Sequence, residues 1–291
     1  YSTTVHQLWS ATARFMLAMR LSKPIYQAFS FYRSPRRRFS SSLPPKLPSK
    51  TPKRIIFGSC SDSTEDLTYW DPIHDLNPDV VVLMGDNVYG KHVSLEDQYA
   101  KLRHHASFRR ASEATCILAT VDDNDLYGEH AIQQFKDFFQ PNLPSQAIKE
   151  NGVFQSYRWN GLRLILLDVR AIDCDMLSDN QWEWLENELN NNELTIVVSP
   201  LQVLATTHEF DCWNCNNQER ERLLNLLLPK STILLSGDRH VAALYQYQHL
   251  YEITSSSLTH SVPEGQLDTE QDPLRQSPFC YKNNFGMLDI E

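Results

Sequence analysis

Residues with metal-binding side chains follow several short apolar runs of this 291-residue chain. Val80–Met84 and Thr232–Leu235 are two such runs. The polar residues that follow the apolar runs of the whole chain are Cys60, Asp62, Asp86, Tyr89, Asp122, Asp123, Asp125, Asp168, Asp238 and His240. Carboxylates that gather without counter-ions repel one another, and metal ions would neutralise them. Oxygen ligands with one imidazole, one phenol and one thiol suit iron, manganese, zinc or calcium, so the pattern predicts a metal site.

The alternative for each of these aspartates is a structural role. An Asp at the end of a strand often caps the helix that follows, because its carboxylate accepts backbone N–H groups of the first helical turn. Helix capping is a sufficient explanation for any one of these aspartates taken alone. Four strand ends that carry Asp, two of them as Gly-Asp, together favour the metal site over independent caps.

The apolar runs predict the strands that position these residues. They are short, nearly continuous and rich in Val, Ile and Leu, which is typical of strands buried on both faces. The predicted strands are Arg54–Phe57, Val80–Met84, Cys116–Ala119, Leu162–Leu167, Thr195–Val198, Thr232–Leu235 and Leu250–Ile253. Ser178–Glu188 and Gln218–Leu228 show helical apolar spacing. Strands that alternate with helices predict an α/β fold, in which ligands bind at the carboxyl ends of the strands.

The order of the polar motifs resembles that of the PhoD-like alkaline phosphatase family of metallophosphoesterases. The similarity spans about residue 54 to 291. The motifs are Gly58-Ser-Cys60, Gly85-Asp-Asn-Val-Tyr89, Ala119-Thr-Val-Asp-Asp-Asn-Asp125, Leu167-Asp-Val-Arg170, Gln181-Trp-Glu-Trp-Leu185, Ser199-Pro-Leu-Gln-Val203, Glu219-Arg-Glu-Arg222, Ser236-Gly-Asp-Arg-His240, Leu250–His260 and Asn284-Phe-Gly286. The resemblance implies a four-layer α/β/β/α sandwich and hydrolysis of phosphate monoesters or diesters of small molecules or lipids.

The same resemblance implies a dinuclear metal centre of iron and a divalent ion such as calcium, zinc or manganese. Its implied ligands of one metal are Cys60, Asp86, Tyr89 and His240, and Asp62, Asp123 and Asp238 are candidates to complete the centre. Asp86 is the candidate bridge between the two ions. Asn87 is expected to point its amide toward the substrate phosphate. Arg170 is expected to pair with that phosphate, or alternatively with Asp168 or Asp173.

One position departs from the family pattern, which usually reads Trp-Asp-Asp-His-Asp at the third motif. Here the stretch is Val-Asp-Asp-Asn-Asp, so Asn124 stands in place of the histidine. Asparagine donates hydrogen bonds but does not shuttle a proton near neutral pH. The departure opens a second hypothesis, a catalytically impaired relative that binds phospho-ligands. His130, His208 and His260 are further candidates near the pocket, each with a solvated or structural alternative.

The charge of the chain is unevenly distributed. The net charge is −9, but residues 1–54 contain 11 of the 27 Lys and Arg residues and none of the 36 Asp and Glu residues. The acidic remainder argues against a general nucleic-acid binder. Residues 1–52 form a basic, Ser- and Pro-rich extension, for which mitochondrial or plastid targeting, plain disorder and secretory targeting are open interpretations. Residues 53–291 are predicted to form the phosphatase-like domain, and no apolar run is long enough for a transmembrane helix.

The six cysteines do not define a compartment. Cys212-Trp-Asn-Cys215 has the spacing of zinc or redox motifs, but such spacing alone also arises by coincidence. A secreted, disulfide-rich interaction domain is therefore a third hypothesis, which a free or metal-bound Cys60 would count against.

Overall fold

The computed structural model of the protein describes residues 47–91, 93–139, 152–171, 175–190 and 193–290. The targeting and disorder interpretations fall mainly on residues 1–46, which lie outside the described residues. The division at residue 52 therefore stays a prediction.

Ten strands in the described ranges form two sheets. The strands are β1 (Arg54–Gly58), β2 (Val80–Met84), β3 (Cys116–Thr120), β4 (Gln155–Trp159), β5 (Leu162–Leu166), β6 (Leu194–Ser199), β7 (Thr232–Ser236), β8 (Ala242–Tyr247), β9 (Leu250–Ser255) and β10 (Gly286–Asp289). The first sheet has the order β10-β1-β2-β3, and the second has the order β4-β5-β6-β7-β9-β8. In each sheet the central strands run parallel, and antiparallel strands close the edges at β10, β4 and β8.

Six α-helices in the described ranges accompany the sheets. They are α1 (Trp70–Asp75), α2 (Leu95–His104), α3 (Ala106–Ala114), α4 (Ala131–Phe139), α5 (Asp179–Glu188) and α6 (Asn217–Leu227). The two helices predicted from the sequence are present as α5 and α6. Ser178 and Asn216 cap them, since each side chain accepts a backbone N–H of the first turn. Within the part of the chain that is described, no helix is long and apolar enough to cross a membrane.

Three apolar clusters give the molecule four layers. Alternate side chains of β1 and β2 point in opposite directions: Ile56 and Val81 pack among the residues of α1 to α4. Ile55 and Val80 instead join a cluster that contains residues of both sheets. A third cluster joins the second sheet to α5 and α6. Both faces of each sheet are therefore covered, which explains the continuous apolar runs. The predicted α/β/β/α sandwich is confirmed.

All seven predicted strands are present, with ends shifted by at most two residues, the largest shift being at the end of β9. The pattern missed the edge strands β4, β8 and β10, because partly exposed side chains interrupt β4 and β8 and because β10 has only four residues. Because β1, β2 and β3 run parallel, their carboxyl ends meet at one edge of the first sheet. The loops that follow these strands contain Cys60, Asp86 and Asp122, so the topology brings three distant acidic or thiol side chains to one place.

Candidate metal centre

The backbone at the candidate site is strained. Six non-glycine residues in the described ranges have positive φ, and four of them are Cys60 (60°), Asp86 (50°), Asp238 (66°) and His240 (52°). The left-handed region costs an ordinary L-residue about 1–2 kcal/mol, and such strain is concentrated at functional sites. These four residues are all among the predicted metal ligands.

Gly85 allows the turn after β2 to approach the turn after β3. Its φ is 97°, and a Cβ atom at this position would lie 2.6 Å from the Cβ atom of Asp122. Only glycine satisfies both the backbone conformation and this close contact. As a result Asp86, the next residue, lies beside Asp122 and its neighbours.

The first group of candidate ligands consists of Cys60, Asp86 and His240, whose donor atoms lie within 4.8 Å of one another. Cys60 Sγ is 3.9 Å from Asp86 Oδ2. The phenol oxygen of Tyr89 is 3.3 Å from His240 Nε2. The structure thus gathers all four side chains that the resemblance assigns to one metal.

The second group consists of Asp86, Asp122 and Asp123, again with donor atoms within 4.8 Å of one another. Asp86 belongs to both groups, which is the position required of a carboxylate that bridges two ions. Asp122 was among the polar residues that the sequence placed at the strand ends, but not among the ligands that the resemblance implies. Its Oδ2 atom is buried and has no hydrogen-bond partner among the described residues. Arg170 pairs with Oδ1 of this carboxylate, and Oδ2 is the buried oxygen that is left to accept a further partner such as a cation.

Burial and mutual repulsion shape the pKa values of the carboxylates. Burial raises the pKa of Asp86, and Asp122, Asp125, Asp123 and Asp238 raise it further. The pKa of Asp122 is raised to about 8 by burial, with Asp238 adding to the rise and Arg170 opposing it. The pKa of Asp238 is raised to about 6, chiefly by burial. Cations would remove this penalty by favouring the charged carboxylates.

The sulfur and nitrogen donors fit the same purpose. Burial, then His260 and Arg239, lowers the pKa of His240 to about 4, so its imidazole is neutral near pH 7 and keeps a lone pair for a metal. Burial and then Asp86 raise the pKa of the Cys60 thiol. A metal would reverse this effect because it binds the thiolate. The residues present therefore fit two cations that share Asp86.

Asp238 and Asp62, the remaining predicted ligands, differ in their surroundings. Asp238 lies close enough to raise the pKa values of Asp86 and Asp122, although it is in neither group. The Asp62 carboxylate accepts hydrogen bonds from the backbone N–H and the hydroxyl of Thr64, each at 2.8 Å. Among the described side chains, the structure places Asp62 outside both groups.

Asn87 does not have the orientation expected from the sequence. It is 1% exposed, and its amide nitrogen donates to the backbone oxygen of Thr120 at 2.7 Å and to Asp125 Oδ2 at 3.0 Å. These bonds join the turns that follow β2 and β3. The expectation that this amide points toward a substrate phosphate is incompatible with the geometry, because both of its donors are used inside the protein.

Arg170 forms ion pairs, but with partners other than those considered from the sequence. Its Nε donates to Asp122 Oδ1 at 2.6 Å and its Nη1 donates to Asp211 Oδ2 at 2.8 Å. The Asp168 carboxylate instead accepts the backbone N–H of Arg170 at 3.1 Å. Asp173 lies outside the described residues. Arg170 therefore lies beside the centre and holds Asp122 in position.

Asn124 holds the shared carboxylate. Its backbone N–H donates to Asp86 Oδ1 at 3.1 Å, and its side-chain amide donates to Asp86 Oδ2 at 3.0 Å. The residue that replaces the expected histidine therefore orients Asp86 with two hydrogen bonds. It provides no group that exchanges a proton near neutral pH.

Two further residues lie at the centre: Ser256, which the sequence did not single out, and His260, which was a candidate near the pocket but not an implied metal ligand. Ser256 Oγ lies 3.1 Å from Cys60 Sγ and accepts the backbone N–H of His240 at 3.0 Å. His260 Nε2 lies 3.1 Å from the phenol oxygen of Tyr89. Both follow β9, in the family-like stretch that ends at His260, and that position was the available signal.

Replacing Ser256 with alanine is expected to weaken metal binding about tenfold, because groups that orient metal ligands typically contribute ten- to a hundredfold to affinity. Equilibrium dialysis against Mn²⁺ measures the change. Ser257→Ala is the matched control, since its buried Oγ has no hydrogen-bond partner among the described residues. Equal affinities for the two variants would contradict a positioning role for Ser256.

Two layered sheets with clustered Asp, His and Cys side chains at their strand ends define the class. The chain has a metallophosphoesterase-type fold, as solved structures confirm. One of them is PhoD, with 17% sequence identity and a TM-score of 0.66 over 84% of this chain. The resemblance to PhoD is thereby confirmed at the level of the fold. This chain spans 65% of the length of PhoD.

Two other solved structures share the fold at lower similarity. GAP50, described as the anchor in the inner membrane complex of Plasmodium, is 12% identical with a TM-score of 0.58, over 82% of this chain and 81% of GAP50. A dimetal phosphatase from Danio rerio is 13% identical with a TM-score of 0.54, over 70% of this chain and 87% of the phosphatase. No family model and no curated protein sequence matches the chain.

Proposed function

We propose that this protein is a metal-dependent hydrolase of phosphoric esters with a dinuclear centre. The observation that supports the proposal most directly is the position of Asp86, which belongs to both groups of candidate ligands. An aspartate with a purely structural role would need only one group of hydrogen-bond donors around it, not two groups of metal-binding side chains. A carboxylate placed between a Cys–His pair and two further carboxylates suits a bridge between two cations.

Each cation would have its own ligands. Cys60, Asp86 and His240, with Tyr89 beside them, would hold the first, and their thiolate and phenolate favour iron. Asp86, Asp122 and Asp123 would hold a harder divalent ion such as calcium, manganese or zinc, with Asp238 nearby. When bound, the two cations would supply an activated water and neutralise charge on the phosphoryl oxygens.

The side chains around the centre would orient these ligands. Asn124 fixes both oxygens of Asp86, and Ser256 fixes Cys60 and the loop of His240. Arg170 fixes Asp122 through its Nε. We propose Arg170 also as the group that pairs with a bound phosphate, because a guanidinium suits two phosphate oxygens and this one lies at the second group.

The phosphatase named among the similar structures supports this proposal by its fold and by its two metals. The fold alone does not define activity, so the argument depends on the site. The substrate is proposed to be a small-molecule or lipid phosphate ester, monoester or diester.

The test is metal analysis of the purified protein together with assays on an aryl phosphate monoester, an aryl phosphate diester and a lipid phosphate. We expect about two ions per chain and hydrolysis that is lost on chelation and restored by metal. Added metal at 100 times its dissociation constant should also stabilise the stripped protein by about 2.7 kcal/mol. Unchanged hydrolysis in thoroughly stripped protein would contradict the proposal.

A further inference from the structure

Cys212 and Cys215 form a close pair of thiols, one buried and one exposed, near the second ligand group. Their sulfur atoms are 3.8 Å apart, and both cysteines are free. Cys212 is buried, at 1% exposure, whereas Cys215 is exposed. The Cys215 thiol is therefore accessible to a reactant in solution, whereas the buried Cys212 thiol contacts Cys215.

The backbone fixes this pair in place. The residues between and around the thiols form a 3-10 turn, Trp213–Cys215, in which the backbone N–H of Cys215 donates to the oxygen of Cys212 at 3.0 Å. Trp213 is fully buried, and its indole N–H donates to Ser199 Oγ at 2.9 Å. Since a disulfide needs an S–S distance of about 2.05 Å, closure requires a movement of roughly 2 Å by the sulfur atoms.

A short chain of contacts connects the thiols to the candidate metal centre. Asp211 directly precedes Cys212 and accepts Nη1 of Arg170 at 2.8 Å. The Nε of the same guanidinium donates to Asp122 Oδ1 at 2.6 Å. Asp122 is one of the three carboxylates of the second group. A change in the backbone at Cys212 would therefore shift Asp211 and alter its hydrogen bond to Arg170.

We propose that Cys212 and Cys215 are a redox modification site, a dithiol that closes to a disulfide by exchange with a low-molecular-weight disulfide, and that closure weakens binding of the cation at Asp122. The modification stands independently of the proposed function. The effect of the disulfide on cation binding at Asp122 rests on the metal site of the proposed function.

The exchange proceeds in two balanced steps. The thiolate of Cys215 attacks one sulfur of the small disulfide, which forms a mixed disulfide and releases one small thiolate. The thiolate of Cys212 then attacks the Cys215 sulfur, which forms the internal disulfide and releases the second small thiolate. The protein loses two electrons and two protons, and the small disulfide becomes two thiols.

The order of attack follows from burial. Burial, and then Cys215, raises the pKa of Cys212 to about 11, so this thiol is mostly protonated near neutral pH. The exposed Cys215 is therefore the entry point, and Cys212 acts in the second step, when its neighbour is already a mixed disulfide. The second step should accelerate with rising pH as the thiolate fraction of Cys212 increases.

Cation binding is expected to weaken on closure because Asp122 and Asp211 share the guanidinium of Arg170. Its guanidinium pairs with Asp211, which is 67% exposed, and with Asp122, which is 1% exposed. If closure draws Asp211 away, the guanidinium is left to Asp122 alone and competes more strongly with a cation there. Because Asp211 is exposed, we expect a modest weakening, about two- to fivefold.

The experiment treats the full chain with oxidised glutathione and maps disulfides by peptide mass spectrometry. Binding of Mn²⁺ is then titrated in the reduced and oxidised forms by electron paramagnetic resonance. We expect a Cys212–Cys215 link and weaker Mn²⁺ binding after oxidation, both reversed by a dithiol reductant. Absence of this link in fully oxidised protein would overturn the modification site.

Two variants separate the site from its consequence. Cys215→Ser should bind Mn²⁺ like the reduced protein and show no response to oxidation, even if another cysteine reacts. Asp211→Asn should form the disulfide but bind Mn²⁺ equally in both redox states, with the affinity of the oxidised form. A redox effect that persists in Asp211→Asn would overturn the proposed connection through Arg170. If the protein hydrolyses no phosphate ester yet shows these results, the proposed function fails and this inference stands.

Discussion

Replacing Asp86 with asparagine is expected to remove bound metal and to lower hydrolysis of an aryl phosphate by about 10³-fold or more. Asp86 is the one carboxylate shared by the two groups of candidate ligands in the described ranges, so its charge and second oxygen would serve both cations. Asparagine keeps the size of the side chain but removes the charge. Elemental analysis and initial rates on the same preparation measure the two effects together.

The same change should leave the fold intact. In the metal-free protein, the Asp86 carboxylate is raised in pKa by burial and by four other aspartates, so removing its charge relieves repulsion. The cost is one of the two hydrogen bonds from Asn124, about 1 kcal/mol. We therefore expect the melting temperature of the stripped variant to lie within a few degrees of the stripped wild type.

The matched control for this variant is Asp137→Asn. Asp137 is exposed on α4, where it accepts a hydrogen bond from Gln133 at 2.7 Å. This variant should keep both metal content and rate. If Asp86→Asn behaves like Asp137→Asn, the assignment of the centre is wrong. If Asp86→Asn melts far below the stripped wild type, lost activity would reflect lost folding instead.

The sequence predicted the strands and their polar ends because both depend on local patterns. Val80–Met84 is apolar at every position, since one face of β2 packs on helices and the other on the second sheet. A chain with such runs has few ways to place Gly85 and Asp86 other than at a strand end. The gathering of Cys60 and Asp86 followed from the parallel pairing of β1 and β2, whereas His240 joins them from the loop after β7 of the second sheet.

The roles within the acidic stretch could not be predicted, because they depend on a single turn. Asp122 and Asp125 stand three residues apart, yet Asp122 joins the second ligand group while Asp125 accepts the backbone N–H groups of Asn87 and Asp122. The 3-10 turn Asp123–Leu126 decides which carboxylate points which way. No periodicity separates consecutive acidic residues in such a turn.

The orientation of Asn87 has a similar cause. Its amide is held by Thr120 and Asp125, residues that follow it by more than 30 positions in the chain. A motif places the residue next to Asp86, but only the packing of the turn after β3 fixes its rotamer. Residue identity therefore predicted the neighbourhood of the centre better than the direction of each side chain.

Replacing Asn124 with histidine is expected to raise turnover about tenfold or more if the protein is a hydrolase that lacks a proton-transfer group. Positioned acids and bases typically contribute about 10²–10⁴-fold, and asparagine contributes none near neutral pH. Because Asn124 contacts Asp86, an imidazole at this position would lie beside the centre. Steady-state rates on monoester and diester substrates measure the gain.

The pH dependence of this gain identifies its cause. If the imidazole donates a proton to the leaving oxygen, the gain is greatest while the ring is protonated and is lost as pH rises through its pKa, ordinarily about 6.5. Asn124→Ala is the matched control, since it removes the side-chain hydrogen bond to Asp86 without adding a titrating group. This variant should lose a few-fold in rate at every pH.

The same pair of variants separates catalysis from binding. A protein that evolved to hold a phospho-ligand would use Asn124 to orient Asp86 and would have no other need for a proton donor. In that case wild type and Asn124→His would both fail to hydrolyse any ester of the panel, while inorganic phosphate would still bind to the metal-loaded wild type. Asn124→Ala would then weaken phosphate binding through Asp86, because orientation of the shared carboxylate is the one task that both functions require of residue 124.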